Sequence, residues 1–257
     1  MLASVTSMSD SHHQRNQSGQ KANASSDQPF DTAKTAAARH GVAQVENGMK
    51  VGMGTGSTAE IFIRLLGQKV RDGLRIRATA TSARSAGVAK GAGIKVEDLD
   101  QIGRLDVTVD GADEIGPNRD LIKGGGGALL REKIVAAASE RFVVIADESK
   151  LVDILGTYPL PLEIIPFGKL DTQSRICAEL RSCGFSDFTT TWRQRGERQF
   201  VTDEGNAILD LHLGTIRDVG ELDSLLNCIP GVVETGLFVN MASECAVGAR
   251  DGRVVIC

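Results

Sequence analysis

The chain predicts an α/β fold, a mostly parallel sheet covered by helices, with a smaller α+β domain attached. Three observations carry this. From about residue 50 to 146, short apolar runs alternate with helical periodicities, the rhythm of a parallel sheet with helices on both faces. Aromatics are only 4% of the 257 residues, so Ala, Val, Ile and Leu must build the core, as buried parallel strands do. Near Tyr158 the rhythm breaks, and Pro159, Pro161 and Pro166 punctuate the chain.

Residues 1–29 are rich in Ser, Asn, Gln and His and read as a disordered tail. Their single Arg argues against a transit peptide. A helix is expected from Asp31, its N-cap, to about Asn47, with Gly48 at its stop. The strand Lys50–Met53 then leads into a helix opening at Ser57, where Ser57 and Glu60 have capping-box spacing. Ile61, Phe62, Leu65, Leu66 and Val70 give that helix an apolar stripe. The alternation continues with strand Ile76–Thr81, helix Ala83–Gly91, strand Leu105–Val109, a loop to Asp120, extended Leu121–Lys123, helix Leu129–Ser139 and strand Phe142–Ala146. This part is Rossmann-like. Beyond Tyr158 follow a strand Leu162–Ile165, a helix Thr172–Cys183, strands at Thr189–Arg193, Gln199–Thr202 and Ala207–Leu213, and a helix Val219–Asn227. Leu237–Val239 and Val254–Ile256 read as strands returning to the first domain. The expected division is a tail 1–29, an α/β catalytic domain 30–158 plus 232–257, and a small α+β domain 159–231.

The formal net charge is -4. An acidic chain has no electrostatic attraction to nucleic acid, so any phosphate it binds is small and held locally. No apolar run approaches the 18 residues of a membrane helix. The five cysteines include no CxxC pair, and with no secretory signal they read as reduced thiols of a cytoplasmic protein. His12, His13, His40 and His212 lack metal-ligand spacing, so no metal is expected.

Four segments could carry chemistry. Gly54-Thr55-Gly56-Ser57-Thr58 joins a strand to a helix, where close backbone approach, hydroxyls and a helix N-terminus suit a phosphate. It is neither a dinucleotide fingerprint, since position 57 is Ser, nor a P-loop, since no Gly-Lys-Ser/Thr follows. Asp110-Gly111-Ala112-Asp113-Glu114 ends an apolar strand, and ligands of open α/β sheets bind at such ends. In Lys123-Gly124-Gly125-Gly126-Gly127 the four consecutive glycines are costly to order, which suggests backbone wrapped around a ligand, with Glu132 about one turn into the next helix. Lys150, after Asp147-Glu148-Ser149, and Lys34, on the first helix, could each meet a phosphate; alone, such lysines are usually surface decoration.

In this order, and with Leu160-Pro161-Leu162-Glu163-Ile164-Ile165-Pro166, Val201-Thr202-Asp203 and Ile229-Pro230-Gly231-Val232-Val233-Glu234, these motifs resemble those of type A ribose-5-phosphate isomerases from about residue 31 onward. The stretch Asn240-Met241-Ala242-Ser243-Glu244-Cys245 departs from the usual pattern. The resemblance implies interconversion of D-ribose 5-phosphate and D-ribulose 5-phosphate with no cofactor, in a homodimer or higher homo-oligomer, within the pentose phosphate pathway. It implies Glu132 as the base; for the chemistry that base requires, Lys123 and the glycine-loop N–H groups are the candidates to stabilise the enediolate, and Asp110 or Asp113 could move the proton that opens the sugar ring. Thr55, Gly56, Ser57, Thr58, Asp110, Gly111, Ala112, Asp113, Lys123, Gly124, Gly125, Gly126, Lys150 and Lys34 would bind the sugar phosphate. A sugar-phosphate-sensing regulator, an acyl-CoA transferase and an amino-sugar phosphate deaminase are the rival readings.

Overall fold

A computed structural model describes residues 28–257, with side chains from Thr32 onward; the expected tail lies outside the described residues, apart from the start of the first helix. In chain order the elements are α1 (Gln28–Ala43), β1 (Lys50–Met53), α2 (Ser57–Arg71), β2 (Arg77–Ala80), α3 (Ala83–Gly91), α4 (Leu99–Ile102), β3 (Leu105–Asp110), β4 (Glu114–Ile115), β5 (Leu121–Ile122), α5 (Leu129–Ala137) and β6 (Ser139–Asp147). There follow β7 (Leu160–Ile164), α6 (Lys169–Ser182), β8 (Thr189–Trp192), β9 (Gln194–Arg195), β10 (Arg198–Gln199), β11 (Ala207–His212), α7 (Val219–Asn227), β12 (Val232–Thr235), β13 (Leu237–Phe238), β14 (Glu244–Gly248) and β15 (Val254–Ile256).

The main sheet runs β15-β14-β6-β3-β1-β2, parallel except for the antiparallel edge strand β15. Its strands alternate as a doubly covered sheet requires. Val107, Val109, Val143 and Ile145 pack with Phe62, Ile63 and Leu66 on one face, while Phe142, Val144 and Ala146 meet Phe238 and Leu121 on the other. Full burial of each such side chain contributes roughly 1.5–3 kcal/mol. A four-stranded antiparallel sheet, β12-β7-β11-β8, stands beside it with Leu160, Leu162, Leu209 and Leu211 in a separate core against α6 and α7. The short strands β13-β5-β4 form a third sheet.

The strand order positions the site. From β1 the chain goes to β2 on one side and β3 on the other, so the connections after β1 and β3 diverge and open a crevice at the carboxyl edge. Register aligns the rim, with Met53 opposite Val109 and Asp110 opposite Val144. The rim also requires Gly54, because a Cβ there would lie 2.5 Å from the Asp110 Cα.

Some local expectations fail. The first helix begins at Gln28, before Asp31, and stops at Ala43, so Asp31 is not its cap. The Ser57–Glu60 capping box does not form. Gly56, at φ 112°, is the cap and no side chain bonds it, so Ser57 is already the first helical residue; the Glu60 carboxylate pairs with Arg84 Nε at 2.6 Å instead. Gln199–Thr202 is not one strand; Gln199 closes the hairpin β9–β10. The strand β14 was not foreseen, and it adds directly to β6.

Candidate active site

The crevice holds a cavity of about 150 Å³, lined by Lys34, Thr55, Gly56, Ser57, Thr58, Gly111, Ala112, Asp113, Lys123, Gly124, Gly125, Gly126, Glu132, Ala146, Asp147 and Lys150. Thirteen of these sixteen are residues singled out above as substrate-binding; Glu132 was singled out as the base. Of the expected site residues only Asp110 stays out of the lining. Ala146 and Asp147 were not assigned, although they lie in the segment that carries Lys150.

Asp110 sits fully buried behind the wall. Its Oδ1 accepts the N–H groups of Thr55 at 2.9 Å and Gly111 at 2.7 Å. One carboxylate thus ties the loop after β1 to the end of β3. The Thr55 hydroxyl is anchored in turn among Thr81, Ser82 and Ser85, with oxygen–oxygen distances of 2.8–3.0 Å.

Lys123 is also buried. It enters from β5, its Nζ donates to the Gly111 carbonyl at 2.6 Å, and it stands over the Phe238 ring at 5.3 Å. The same Nζ lies 3.1 Å from Asp110 Oδ2 and 3.1 Å from Glu132 Oε2, contacts close enough for an ion pair but outside hydrogen-bond directionality. Glu132 occupies the inward face of α5 with Leu129, Val135 and Ala136. A carboxylate in an apolar-stripe position is desolvated, and burial pushes its pKa up to about 8, Lys123 opposing and Asp110 adding to the rise. Burial raises Asp110 too, against the pull of Lys123 and its two backbone donors. Burial works against the Lys123 charge, but Asp110 and Glu132 outweigh it and hold the ammonium above its usual range. The directions are consistent because two carboxylates share one cation, so the trio retains a proton that an exposed pair would lose.

The glycine loop forms the opposite wall. Gly124 has φ 104°, and a Cβ there would meet Leu129 Cβ at 2.8 Å, so no other residue fits without displacement. The Gly125 N–H donates to Asp113 Oδ2 at 2.7 Å. At the far end, the N–H groups of Ser57, Thr58 and Ala59 open α2 with no acceptor among the described residues. Lys34 and Lys150 flank the cavity they share. This arrangement can hold an anion at one end and exchange a proton at the other.

Sequence reasoning missed Arg193, whose Nη1 donates to the Gly124 carbonyl at 2.6 Å, and the Thr81, Ser82 and Ser85 hydroxyls. No local motif marks them. Among the described residues, no group of three or more His, Cys, Asp or Glu could hold a metal ion.

Residues 77–252 match the family model for ribose 5-phosphate isomerase A (phosphoriboisomerase A). The chain is 52% identical over 229 residues to ribose-5-phosphate isomerase A of Ruegeria pomeroyi, covering 89% of this chain and 87% of that one. It is 51% identical over 227 residues to the Nitrobacter hamburgensis protein of the same name, covering 88% and 98%. Among solved structures, ribose 5-phosphate isomerase from Plasmodium falciparum superposes with a TM-score of 0.83 at 33% identity, over 88% of this chain and 97% of that one. A D-ribose-5-phosphate isomerase in complex with phospho-erythronic acid gives a TM-score of 0.81 at 38% identity, over 89% and 98%. The chain therefore belongs to the ribose-5-phosphate isomerase A family and is a ribose-5-phosphate isomerase.

Proposed function

We propose that Glu132 shuttles a proton between C2 and C1 of the open-chain sugar, passing D-ribose 5-phosphate to D-ribulose 5-phosphate through an enediol. The observation that carries this reading is a buried carboxylate with a raised pKa, beside a buried ammonium, opening on a cavity with unpaired helix N–H groups at its far end. A base near neutral pKa can both take the proton and return it, worth roughly 10²–10⁴ in rate. The enediolate oxygens face Lys123 and the glycine-loop N–H groups; one preorganised donor of this kind supplies about 3–4 kcal/mol.

The phosphate occupies the α2 N-terminus between Lys34 and Lys150, which holds C1 and C2 over Glu132. Asp113 opens the ring. It lines the cavity, whereas Asp110 commits Oδ1 to backbone N–H groups and faces Lys123 with Oδ2. Phospho-erythronic acid, named with the similar isomerase, carries a planar carboxylate like an enediolate and fits the same reading. The enzyme works in the non-oxidative pentose phosphate pathway of the cytoplasm. Exposed Ile165, Phe167 and Leu170 offer apolar surface for a second copy, in keeping with a homodimer or higher homo-oligomer. Residues 30–158 plus 232–257 form the catalytic domain and 159–231 the small one, with β12 of the first crossing over to pair in the sheet of the second.

The test is a direct assay for ribulose 5-phosphate formed from ribose 5-phosphate with EDTA present. Full turnover is expected. No ketose product, or activity abolished by the chelator, overturns the reading.

A further inference from the structure

Arg193 leaves the end of β8 with its backbone fixed, its N–H donating to the Ile208 carbonyl at 2.9 Å and its carbonyl accepting from Phe200. Its largely buried guanidinium is gripped along one edge by Asp210 of β11, Nε to Oδ2 at 2.9 Å and Nη2 to Oδ1. The remaining nitrogen, Nη1, reaches across to the glycine loop and donates to the Gly124 carbonyl at 2.6 Å and the Gly125 carbonyl at 3.3 Å.

Those two carbonyls fix two peptide planes. In a trans peptide the C=O and the following N–H point opposite ways. With the Gly124 carbonyl turned to Arg193, the Gly125 N–H points away from it, onto Asp113 Oδ2 at 2.7 Å. With the Gly125 carbonyl held likewise, the Gly126 N–H turns from Arg193 too. That N–H has no acceptor among the described residues, and Gly126 lines the cavity. A four-glycine run has no side chains to hold these planes, so the guanidinium supplies what the loop lacks.

We infer that Arg193, locked by Asp210, is a positioning residue for the isomerisation. It orients Asp113 and presents the Gly126 N–H to the developing enediolate oxygen, without touching substrate. The inference rests on the proposed roles of Glu132 and the glycine loop. It also requires arginine, because only a planar fork can hold a carboxylate on one edge and carbonyls on another.

The test is steady-state kinetics of Arg193→Ala, Arg193→Lys and Asp210→Asn, with kcat expressed per folded enzyme from circular dichroism. Arg193→Ala should lose about 30- to 100-fold in kcat, while KM for ribose 5-phosphate moves by less than about threefold because the phosphate contacts are intact. Millimolar guanidinium should restore part of that kcat, and methylammonium should not. Arg193→Lys should stay as low as Arg193→Ala. Asp210→Asn keeps the fork and should lose less, which covers the case of Arg193→Ala failing to fold. A kcat within about threefold of wild type in Arg193→Ala, full activity in Arg193→Lys, or a loss confined to KM overturns the role. Glu132→Gln is measured alongside. If it retains wild-type turnover the base assignment falls, whatever Arg193 does; if it is inactive and Arg193→Ala is not impaired, only the Arg193 role falls.

Discussion

Lys123 Nζ stands 3.1 Å from Glu132 Oε2, yet Glu132 holds its proton far more tightly than an ordinary carboxyl does. An isolated ion pair would do the reverse. Burial is the larger influence, and Asp110, equally close to the same ammonium, takes up much of its attraction. A carboxylate of unusual proton affinity follows from a buried one-cation, two-anion cluster.

The pH dependence of kcat/KM should reveal that affinity. As the proposed base, Glu132 has to be ionised to accept the C2 proton, so kcat/KM should climb from the acid side with a limb near pH 8. This is separable from the substrate phosphate, which titrates near about 6. Asp110→Asn removes a negative neighbour and should move the limb downward. A limb in the ordinary carboxyl range, at about 4–5, would contradict the assignment.

Stability should respond with a definite sign. Folding raises Glu132 from an ordinary 4.5 to about 8, so between those values the folded state binds more protons and loses stability as pH rises. The favourable contribution is complete below 4.5 and gone above 8. Glu132→Gln removes the penalty, so its Tm should exceed wild type by about 3–6 °C at pH 9 and the gap should close in acid. Equal melting of the two proteins at pH 9 would refute it.

Lys150→Ala should weaken binding of phosphorylated sugars about tenfold, the scale of one charge-assisted contact, and leave unphosphorylated ribose unaffected. Calorimetric titration of both ligands decides this, and an equal loss for both would remove Lys150 from the phosphate site.

Asp113 and Asp110 should separate when the ring-opening step is removed. Asp113→Asn should be strongly impaired on ribose 5-phosphate but much less on erythrose 4-phosphate, which has no free hydroxyl to close a five-membered ring. Asp110→Asn, behind the cavity wall and outside its lining, should affect both sugars alike. Equal impairment of Asp113→Asn on both substrates would deny it the ring-opening role.

The sheet was legible because its strands are apolar runs bounded by glycine and charge, and Lys50–Met53, Ala83–Gly91, Val219–Asn227 and Val254–Ile256 match to the residue. The cavity lining was legible because close backbone contact demands glycine, and glycine is conspicuous in a sequence. What failed was decided by tertiary partners. Ser57 reads as a cap, but Gly56 takes that place one residue earlier, and Glu60 pairs with Arg84 of another helix. Cys245-Ala246-Val247 becomes a strand through its pairing with β6. Arg193 is one of several similar charges in its stretch, and nothing nearby shows that the loop it grips lies 69 positions earlier.

The grip of Arg193 on the Gly124 and Gly125 carbonyls also bears on divisibility. One wall of the cavity is braced by a side chain from the second sheet, and the buried Glu132 carboxylate comes from a helix of the first. A gene fragment ending near residue 158 would encode every group that lines the cavity and still lack the brace that shapes it. The catalytic unit is thus longer than its list of contacting residues, and a transplant of the first sheet alone would carry the parts without their alignment.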